Sequence, residues 1–286
     1  MKPMIKYRGG KSKEIPQIME YIPQYNGRYI EPFLGGGAVF FHLEPEGAII
    51  NDLNVPLMMF YRYVRNDYQR LRQELDAVET IYAHNSAVFE AHKKMHPNER
   101  IENLNETLYY QIRDMYNNIA VKQYSDAFLY YFINKTAYSG MIRYNAKGEF
   151  NVPYGRYKSF GANLITDRHS ELLQKTELYN GDYSEIFNMS QPNDFMFLDP
   201  PYDCVFSDYG NEEYRDGFNE AEHRRLAQDF RNLDCRAMMV IGSTPLIEEL
   251  YHDLIVDEYS KQYAVNIRNR FRANSKHLII TNYNNR

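Results

Sequence analysis

Short apolar runs that end at an acidic residue recur along the chain and predict the strands of an α/β sheet. The run Phe195 to Leu198 has the composition of a buried strand, and it stops at Asp199, Pro200 and Pro201. Proline cannot donate to a central ladder, so Asp199 should lie at the carboxyl end of a strand. Ligands of open α/β sheets bind outside these ends, which makes Asp199 a candidate site residue. The alternative is a plain strand end with a surface aspartate.

The corner after this strand has the groups needed to hold a planar amine. The two prolines fix two φ angles and stiffen the turn. A planar amine can donate one hydrogen bond to the Asp199 carboxylate and one to the Pro200 carbonyl, while its ring stacks on Tyr202. The exocyclic amino group of a nucleobase has this shape, so the corner is a candidate nucleobase site.

A glycine loop marks a second candidate site. The strand-like run Arg28 to Glu31 leads into Gly35-Gly36-Gly37, and a helix is predicted to begin near Ala38. Strand, glycine loop and helix in this order are typical of nucleotide-type sites. The next predicted strand ends in Asp52, where a carboxylate can hold a ribose diol. The loop is not GxGxxG and the second strand comes early, so we expect a cofactor with a ribose and no pyrophosphate. Near the amino terminus, Lys11 follows another glycine pair and can reach a carboxylate.

The remaining pattern divides the chain into a sheet domain and an insert. Apolar residues from Leu57 to Val78 recur every three or four positions and predict one long amphipathic helix, followed by further helices to about Ile133. Strands that alternate with helices indicate a doubly wound α/β sheet. The predicted domains are 1–56 with 169–286 for the sheet, and 57–168 for the insert. Further predicted elements are a helix from about Ser12 to before Pro23, a strand over 177–183, helices over 219–231 and 245–252, a strand over 237–241, and a closing hairpin over 257–265 and 277–282.

Residues 134–158 differ from their surroundings. They interleave Arg and Lys with Tyr and Asn around an Asn145-Ala146-Lys147-Gly148 turn, which predicts a β-hairpin. This mixture of side chains contacts phosphates and base edges in nucleic-acid complexes. A basic surface hairpin without a ligand would explain the charges but not so many aromatic and asparagine residues.

Charge and composition bear on the class of partner. The net charge of −5 over 286 residues does not indicate a polyanion ligand, but basic residues are in excess in 1–13, 134–168 and 261–286. If these segments converge they form a positive face; otherwise they are three solvated surfaces. Two cysteines, Cys204 and Cys235, and no apolar run of membrane-spanning length indicate a protein of a reducing cytoplasm. His92 and His96 have the spacing of a metal pair but lack a third ligand, so no metal site is expected.

With these pieces in register, the chain resembles the Dam-like (D12-class) DNA adenine-N6 methyltransferases over nearly its whole length. The matching motifs are KYRGGK from Lys6 to Lys11, EPFLGGG from Glu31 to Gly37, NDLN from Asn51 to Asn54, the segment from Gly148 to Lys158, and DPPY from Asp199 to Tyr202. The resemblance implies a Rossmann-like class I methyltransferase fold, with a seven-stranded mixed sheet and a mostly helical target-recognition insert that carries a β-hairpin. It also implies methyl transfer from S-adenosyl-L-methionine to N6 of a flipped-out adenine in duplex DNA.

The resemblance assigns roles residue by residue. It implies catalytic roles for Asp199, Pro200 and Tyr202, and cofactor contacts for Tyr7, Lys11, Phe33, Gly35, Asp52, Asp182 and Asp199. It implies DNA contacts for Lys6, Tyr138, Ser139, Met141, Arg143, Asn151 and Arg156. Tyr138 matches the intercalating aromatic residue and Arg143 the base-reading arginine, whereas Ser139 and Met141 replace the frequent Asn and Leu. The expected target is GATC.

Two other functions stay open at this point. One is a methyltransferase acting on RNA or on a protein amide, since any planar amine fits the corner. The other is a catalytically inactive DNA-binding homologue. We expect a monomer that binds double-stranded DNA, needs neither membrane nor metal, and lies in the cytoplasm with the nucleoid of a bacterial, phage or plasmid system. A cognate restriction endonuclease that shares the target is a candidate partner.

Overall fold

The computed structural model describes residues 1–203, 218–261 and 275–284. The chain forms two compact units. The first contains 1–10, 36–41 and 56–174, and the second contains 11–35, 42–55 and 175–286. The amino-terminal ten residues and the 36–41 segment therefore cluster with the helical part of the chain.

The second unit is built on a seven-stranded mixed sheet. Its strands are β1 Tyr29–Glu31, β2 Ala48–Asn51, β3 Thr176–Tyr179, β4 Phe195–Leu198, β5 Arg236–Gly242, β6 Ile255–Lys261 and β7 Ser275–Thr281. The strand order is β3-β2-β1-β4-β5-β7-β6. Strands β1 to β5 pair in parallel, and β7 is antiparallel to both β5 and β6. The predicted α/β class with a Rossmann-like mixed sheet is confirmed.

The helices follow the predicted alternation, with two corrections. They are α1 Ile15–Met19, α2 Ala38–Leu43, α3 Val55–Asn66, α4 Tyr68–Met95, α5 Leu104–Tyr116, α6 Asp126–Thr136, α7 Asp167–Gln174, α8 Tyr183–Phe187, α9 Glu220–Arg231 and α10 Pro245–Tyr251. The single helix predicted from Leu57 is interrupted at Asp67, whose backbone leaves the helical region and occupies the N-cap position of α4 without a side-chain capping hydrogen bond. The first helix is little more than one turn long, has Pro16 as its second residue, and is shorter than predicted.

Both units have apolar cores that account for much of the aromatic content. In the second unit, residues of β1, β2, β4, β5 and β7 are buried with those of α9 and α10; examples are Ile30, Ile49, Leu198, Met239 and Ile280. In the first unit the core is rich in tyrosine, and Phe60 stacks on Tyr131 with ring centroids 6.0 Å apart. No helix in the described ranges is long and apolar enough to cross a membrane.

The predicted hairpin of residues 134–158 is present as a turn, but its strands are reduced to isolated bridges. Tyr144 bridges Phe150 and Ala137 bridges Tyr154, and no longer ladder forms among the described residues of this segment. The turn itself is as predicted, with Gly148 donating to the carbonyl of Asn145 at 2.9 Å. Ser139 and Gly140 both have positive φ, which interrupts extended pairing on that side.

Candidate active site and nucleic-acid interface

The carboxyl ends of the parallel strands gather the predicted cofactor and catalytic residues in the second unit. Asp52 follows β2 and Asp199 follows β4 directly, and Phe33 lies two residues after β1. Because β1 pairs with β2 on one side and β4 on the other, the strand order reverses here. Crevices at such reversal points are where open α/β sheets bind ligands.

Lys11 is the central cation of the corner after β4. Its side chain is 2% exposed, and its ammonium forms an ion pair with the Asp199 carboxylate. The same Nζ donates to the Tyr202 hydroxyl at 2.8 Å. A buried charge is tolerated when it is paired and hydrogen-bonded, which this arrangement achieves. Lys11 thus reaches a carboxylate as predicted, and it orients both Asp199 and Tyr202.

The Asp199 side chain remains accessible and can accept further hydrogen bonds. It is 21% exposed, and a carboxylate has about four acceptor positions. Pro200 is buried, and Thr244 holds the end of the corner by donating to Asp203 at 2.7 Å. The corner is therefore fixed by its prolines, by Lys11 and by the first residue of the α10 cap.

Asp52 ties the second strand to the glycine loop. One carboxylate oxygen accepts from the Gly35 amide at 2.7 Å and the other from the Asn54 amide at 2.9 Å. Burial raises the pKa of Asp52, and the two amide hydrogen bonds oppose that shift. Gly35 has a φ of 49°, a left-handed conformation that favours glycine. The predicted strand-end acid and the predicted glycine loop are joined directly.

Asp182 has a structural task that the sequence did not indicate. It caps α8 by accepting from the Ser184 amide at 3.0 Å and the Ser184 hydroxyl at 2.6 Å, and it pairs with Arg225 at 2.8 Å. Burial alone would raise the pKa of Asp182, but the hydrogen bonds from Ser184 and Arg225 outweigh it and leave the pKa below its ordinary value. Nearby, Phe33 lies 5.3 Å from the Tyr183 ring.

The first unit contains the residues predicted to contact DNA. Lys6 is held firmly there: its backbone exchanges hydrogen bonds with the Asn134 side chain, and its ammonium donates to the Lys135 carbonyl at 2.8 Å. The ammonium also lies 3.6 Å from the centre of the Tyr157 ring. Two of the three basic segments therefore meet through Lys6. Most of the third, from 261 onward, lies outside the described residues.

The recognition segment presents its predicted residues at its surface. Tyr138 is 56% exposed. Arg143 is exposed and donates from Nε to the Asn151 side chain at 2.8 Å, so two of the residues predicted to contact DNA are paired with each other. Arg156 is exposed with a positive φ. Ser139 is exposed and Met141 is half-buried.

Tyr7 lies against the second glycine of the loop within the same unit. A Cβ added to Gly36 would stand 3.0 Å from the Tyr7 Cβ, so glycine permits this close approach. Tyr7 also closes the amino-terminal glycine turn, since its carbonyl accepts from the Gly10 amide at 3.3 Å.

Several residues at the corner were not singled out by sequence reasoning. Gly242, Glu14, His277 and Tyr259 surround or support Tyr202 in the second unit. No local motif marks them, because they come from four separate segments. Within the described residues, no cluster of three or more metal-ligating side chains is present. His96 contacts Glu99, Cys235 is buried, and Cys204 lies outside the described residues.

Known proteins resemble this chain over almost its full length. Residues 7–267 match the family described as D12 class N6 adenine-specific DNA methyltransferase. Type II methyltransferase M.CviBI of Paramecium bursaria Chlorella virus NC1A is 35% identical over 291 residues, which cover 99% of this chain and all of that protein. Type II methyltransferase M.MjaIII of Methanocaldococcus jannaschii is 31% identical, with 99% of each chain covered. A DNA adenine methylase of Salmonella typhi is 26% identical over 94% of this chain and 89% of its own.

The family match spans the strand-end acids, the glycine loop, the recognition segment and the corner after β4. The family match and the seven-stranded mixed sheet agree on the family of the whole chain. This protein is a member of the D12 class of N6 adenine-specific DNA methyltransferases.

Proposed function

We propose that this protein transfers a methyl group from S-adenosyl-L-methionine to N6 of an adenine flipped out of duplex DNA. The observation that carries the proposal is the corner after β4, where Lys11 holds the partly exposed Asp199 carboxylate and the Tyr202 hydroxyl on either side of Pro200. The corner offers two acceptors and an aromatic ring, which is what an adenine amino group and its ring require.

The groups at the sheet edge fit this cofactor. Asp52 would accept hydrogen bonds from the ribose hydroxyls, since each of its oxygens uses only one amide in the described contacts. Phe33 supplies an apolar ring, and Gly35 lets the backbone approach closely. Asp182 would contribute to the cofactor site from its position at the start of α8, where it caps the helix and pairs with Arg225. When bound, the cofactor supplies an electrophilic methyl group on a positively charged sulfur.

Asp199 and Pro200 would activate the adenine amine. Its lone pair is delocalised into the ring, which makes the amine a poor nucleophile. Two hydrogen bonds, to the Asp199 carboxylate and the Pro200 carbonyl, favour a more pyramidal nitrogen and stabilise the charge that develops on it. The ammonium of Lys11 is already used by Asp199 and Tyr202, so we assign it the task of holding both in place.

Base flipping requires compensation for lost stacking. Unstacking a base costs a few kcal/mol. Stacking on Tyr202 would return roughly 1–3 kcal/mol. Tyr138, at 56% exposure, would fill the gap left in the duplex.

We assign target recognition to the insert, residues 57–168, and catalysis to residues 1–56 and 169–286. Arg143, Asn151 and Arg156, with Lys6, Ser139 and Met141, would contact the DNA. The proposed target is GATC, on the likeness of the recognition segment. We also propose a cognate restriction endonuclease that shares the target as functional partner. We propose that the protein acts as a monomer in the cytoplasm.

Asp199→Ala tests the proposal. It should lower the methylation rate about 10²–10³-fold, as does loss of one donor from an oxyanion hole, while DNA binding stays close to wild type. Asp253→Ala, an exposed aspartate paired with Arg231, is the control and should remain active. Retention of more than about a tenth of wild-type activity in Asp199→Ala would contradict the assignment.

The substrate is tested separately. Purified protein is incubated with labelled S-adenosyl-L-methionine and equal amounts of duplex DNA, single-stranded DNA or RNA, and modified adenines are then mapped in DNA from an expressing, methylation-free host. Labelled duplex with N6-methyladenine at GATC is expected. Label on RNA alone, or no transfer, would overturn the proposed substrate. Methylated adenines mapped to a different motif would replace GATC as the proposed target.

A further inference from the structure

A row of cross-strand neighbours lies beneath Tyr202. Gly242 on β5 is opposite His277 on β7, and His277 is opposite Tyr259 on β6. Directly opposed residues point to the same face of a sheet. A Cβ added to Gly242 would stand 3.3 Å from the Tyr202 ring, so the ring rests on this glycine. The His277 ring meets the Tyr202 ring nearly at a right angle, with centroids 5.2 Å apart.

Glu14 fixes the middle of this row. Its Oε2 accepts from the Tyr259 hydroxyl at 2.6 Å and lies 2.7 Å from Nδ1 of His277. This contact sets the orientation of the His277 ring, and Nδ1 is the donor when the Glu14 carboxylate is ionised, since an ionised carboxylate only accepts. The His277 side chain is 0% exposed and that of Glu14 is 5% exposed, so water does not compete for these bonds.

The same turn holds Tyr202 at both ends. The Glu14 amide donates to the Lys11 carbonyl at 2.8 Å, which closes a tight turn. From this turn Lys11 reaches the Tyr202 hydroxyl at 2.8 Å, while Glu14 acts on the ring through His277. The prolines before Tyr202 fix the backbone but leave the side-chain torsions free, so these contacts set the plane of the ring.

We propose that Glu14 and His277 are positioning residues that set the plane of Tyr202 for the target base. This inference rests on the proposed function, since it takes Tyr202 as the ring that stacks on adenine. A reacting group displaced by about 1 Å can lose on the order of 10² in rate. Disturbing the pair should therefore lower kcat on duplex DNA and leave the KM for the methyl donor unchanged.

Four substitutions separate the parts of the pair. Glu14→Gln keeps an acceptor for Nδ1 and should retain kcat within about threefold. Glu14→Leu removes the acceptor, and His277→Asn keeps a donor but removes the ring; each should lower kcat roughly tenfold or more. Gly242→Ala leaves Glu14 and His277 intact and shifts the Tyr202 ring, so it should lower kcat several-fold. Because Gly242→Ala does not alter the buried pair, this variant still tests the position of Tyr202 if a substitution of Glu14 or His277 prevents folding.

The control is Tyr283→Phe, which removes a comparable hydrogen bond, 2.7 Å to the Tyr21 carbonyl, elsewhere in the second unit. It should leave kcat unchanged. Equal kcat in Glu14→Gln and Glu14→Leu, or a KM for the donor that rises with the loss of kcat, would overturn the inference.

Tyr202→Ala distinguishes the two failures. If Tyr202→Ala is fully active, the stacking role in the proposed function is wrong and this inference falls with it. If Tyr202→Ala loses activity but Glu14→Leu, His277→Asn and Gly242→Ala do not, only the positioning role is refuted.

Discussion

Replacement of Arg143 by alanine should separate base reading from phosphate contact. The Arg143 Nε donates to the Asn151 side chain at 2.8 Å, and one terminal nitrogen lies 3.5 Å from the Asn151 carbonyl. This pairing uses the Nε side of the guanidinium. The two terminal nitrogens at its end still present a pair of parallel N–H groups for another acceptor. An arginine end of this kind can donate to O6 and N7 of guanine together.

The expected magnitude follows from this geometry. Loss of a bidentate guanine contact costs about 1–3 kcal/mol at one base pair. Asn151→Ala leaves the arginine but frees its side chain, so it should cost about 0.5–1.5 kcal/mol, the ordering penalty of one long side chain. If Asn151 contributes only by orienting the Arg143 guanidinium, the double variant should bind no more weakly than Arg143→Ala alone, whereas a DNA contact made by Asn151 itself would add to the loss.

The assay is binding to the cognate duplex and to each single-base substitution at two salt concentrations. Arg143→Lys keeps the charge without the planar fork and should lose the same discrimination. Lys147→Ala, in the adjacent exposed turn, is the phosphate-type control; it should weaken all duplexes alike and reduce the salt slope by about one.

A uniform loss across every duplex in Arg143→Ala, with a reduced salt slope, would refute base reading by this residue. Strictly additive effects of Arg143→Ala and Asn151→Ala would refute the pairing as the way Asn151 acts.

Three further predictions concern the two units separately. Asp52→Ala should weaken S-adenosyl-L-methionine binding by roughly 1.5–3 kcal/mol, the worth of hydrogen bonds to a charged group, with little change in maximal rate; unchanged affinity by calorimetry would leave Asp52 as a loop-anchoring residue only. Lys11→Met should lower the free energy of unfolding by about 3 kcal/mol in denaturant titrations, which is the lower end for breaking a buried ion pair because Asp199 is 21% exposed. The double variant Lys11→Met with Asp199→Asn should recover part of this lost stability. Burial, together with the Lys6 ammonium, lowers the pKa of Lys135 from 10.5 to about 8. Above pH 8 the unfolded chain therefore binds more protons than the folded one, and the contribution of Lys135 to the free energy of unfolding should rise by about 2 kcal/mol by pH 9.5. An identical pH dependence of unfolding in wild type and Lys135→Met would contradict this.

Features that depend on local sequence were predicted well. Asp199 and Asp52 stand at strand ends because an apolar run followed by prolines or a polar pair terminates a strand wherever the strand lies. The glycine loop followed by α2 was also predictable. Glycines favour a turn, and the apolar residues after them favour a helix, whatever surrounds this segment in the fold. The Asn145–Gly148 turn formed for the same reason, through its own hydrogen bonds.

Other features depended on which local preference prevailed. Asp67 interrupts the predicted long helix because aspartate has a low helix propensity, and its backbone leaves the helical region between α3 and α4. The hairpin strands were over-predicted because extended, aromatic-rich sequence also fits irregular loops once Ser139 and Gly140 take positive φ. The resemblance implied a cofactor contact for Asp182, but its cap on α8 and its ion pair with Arg225 depend on the packing of α9, which the local sequence does not show.

The support of Tyr202 was decided only by tertiary structure. Glu14 and His277 are 263 residues apart, and their contact exists because β7 inserts between β5 and β6. Local periodicity predicts that β7 is a strand, but not which strands it joins or which residues become opposed. The sequence by itself determined the chemistry at the strand ends; the order of the strands decided which distant side chains hold that chemistry in position.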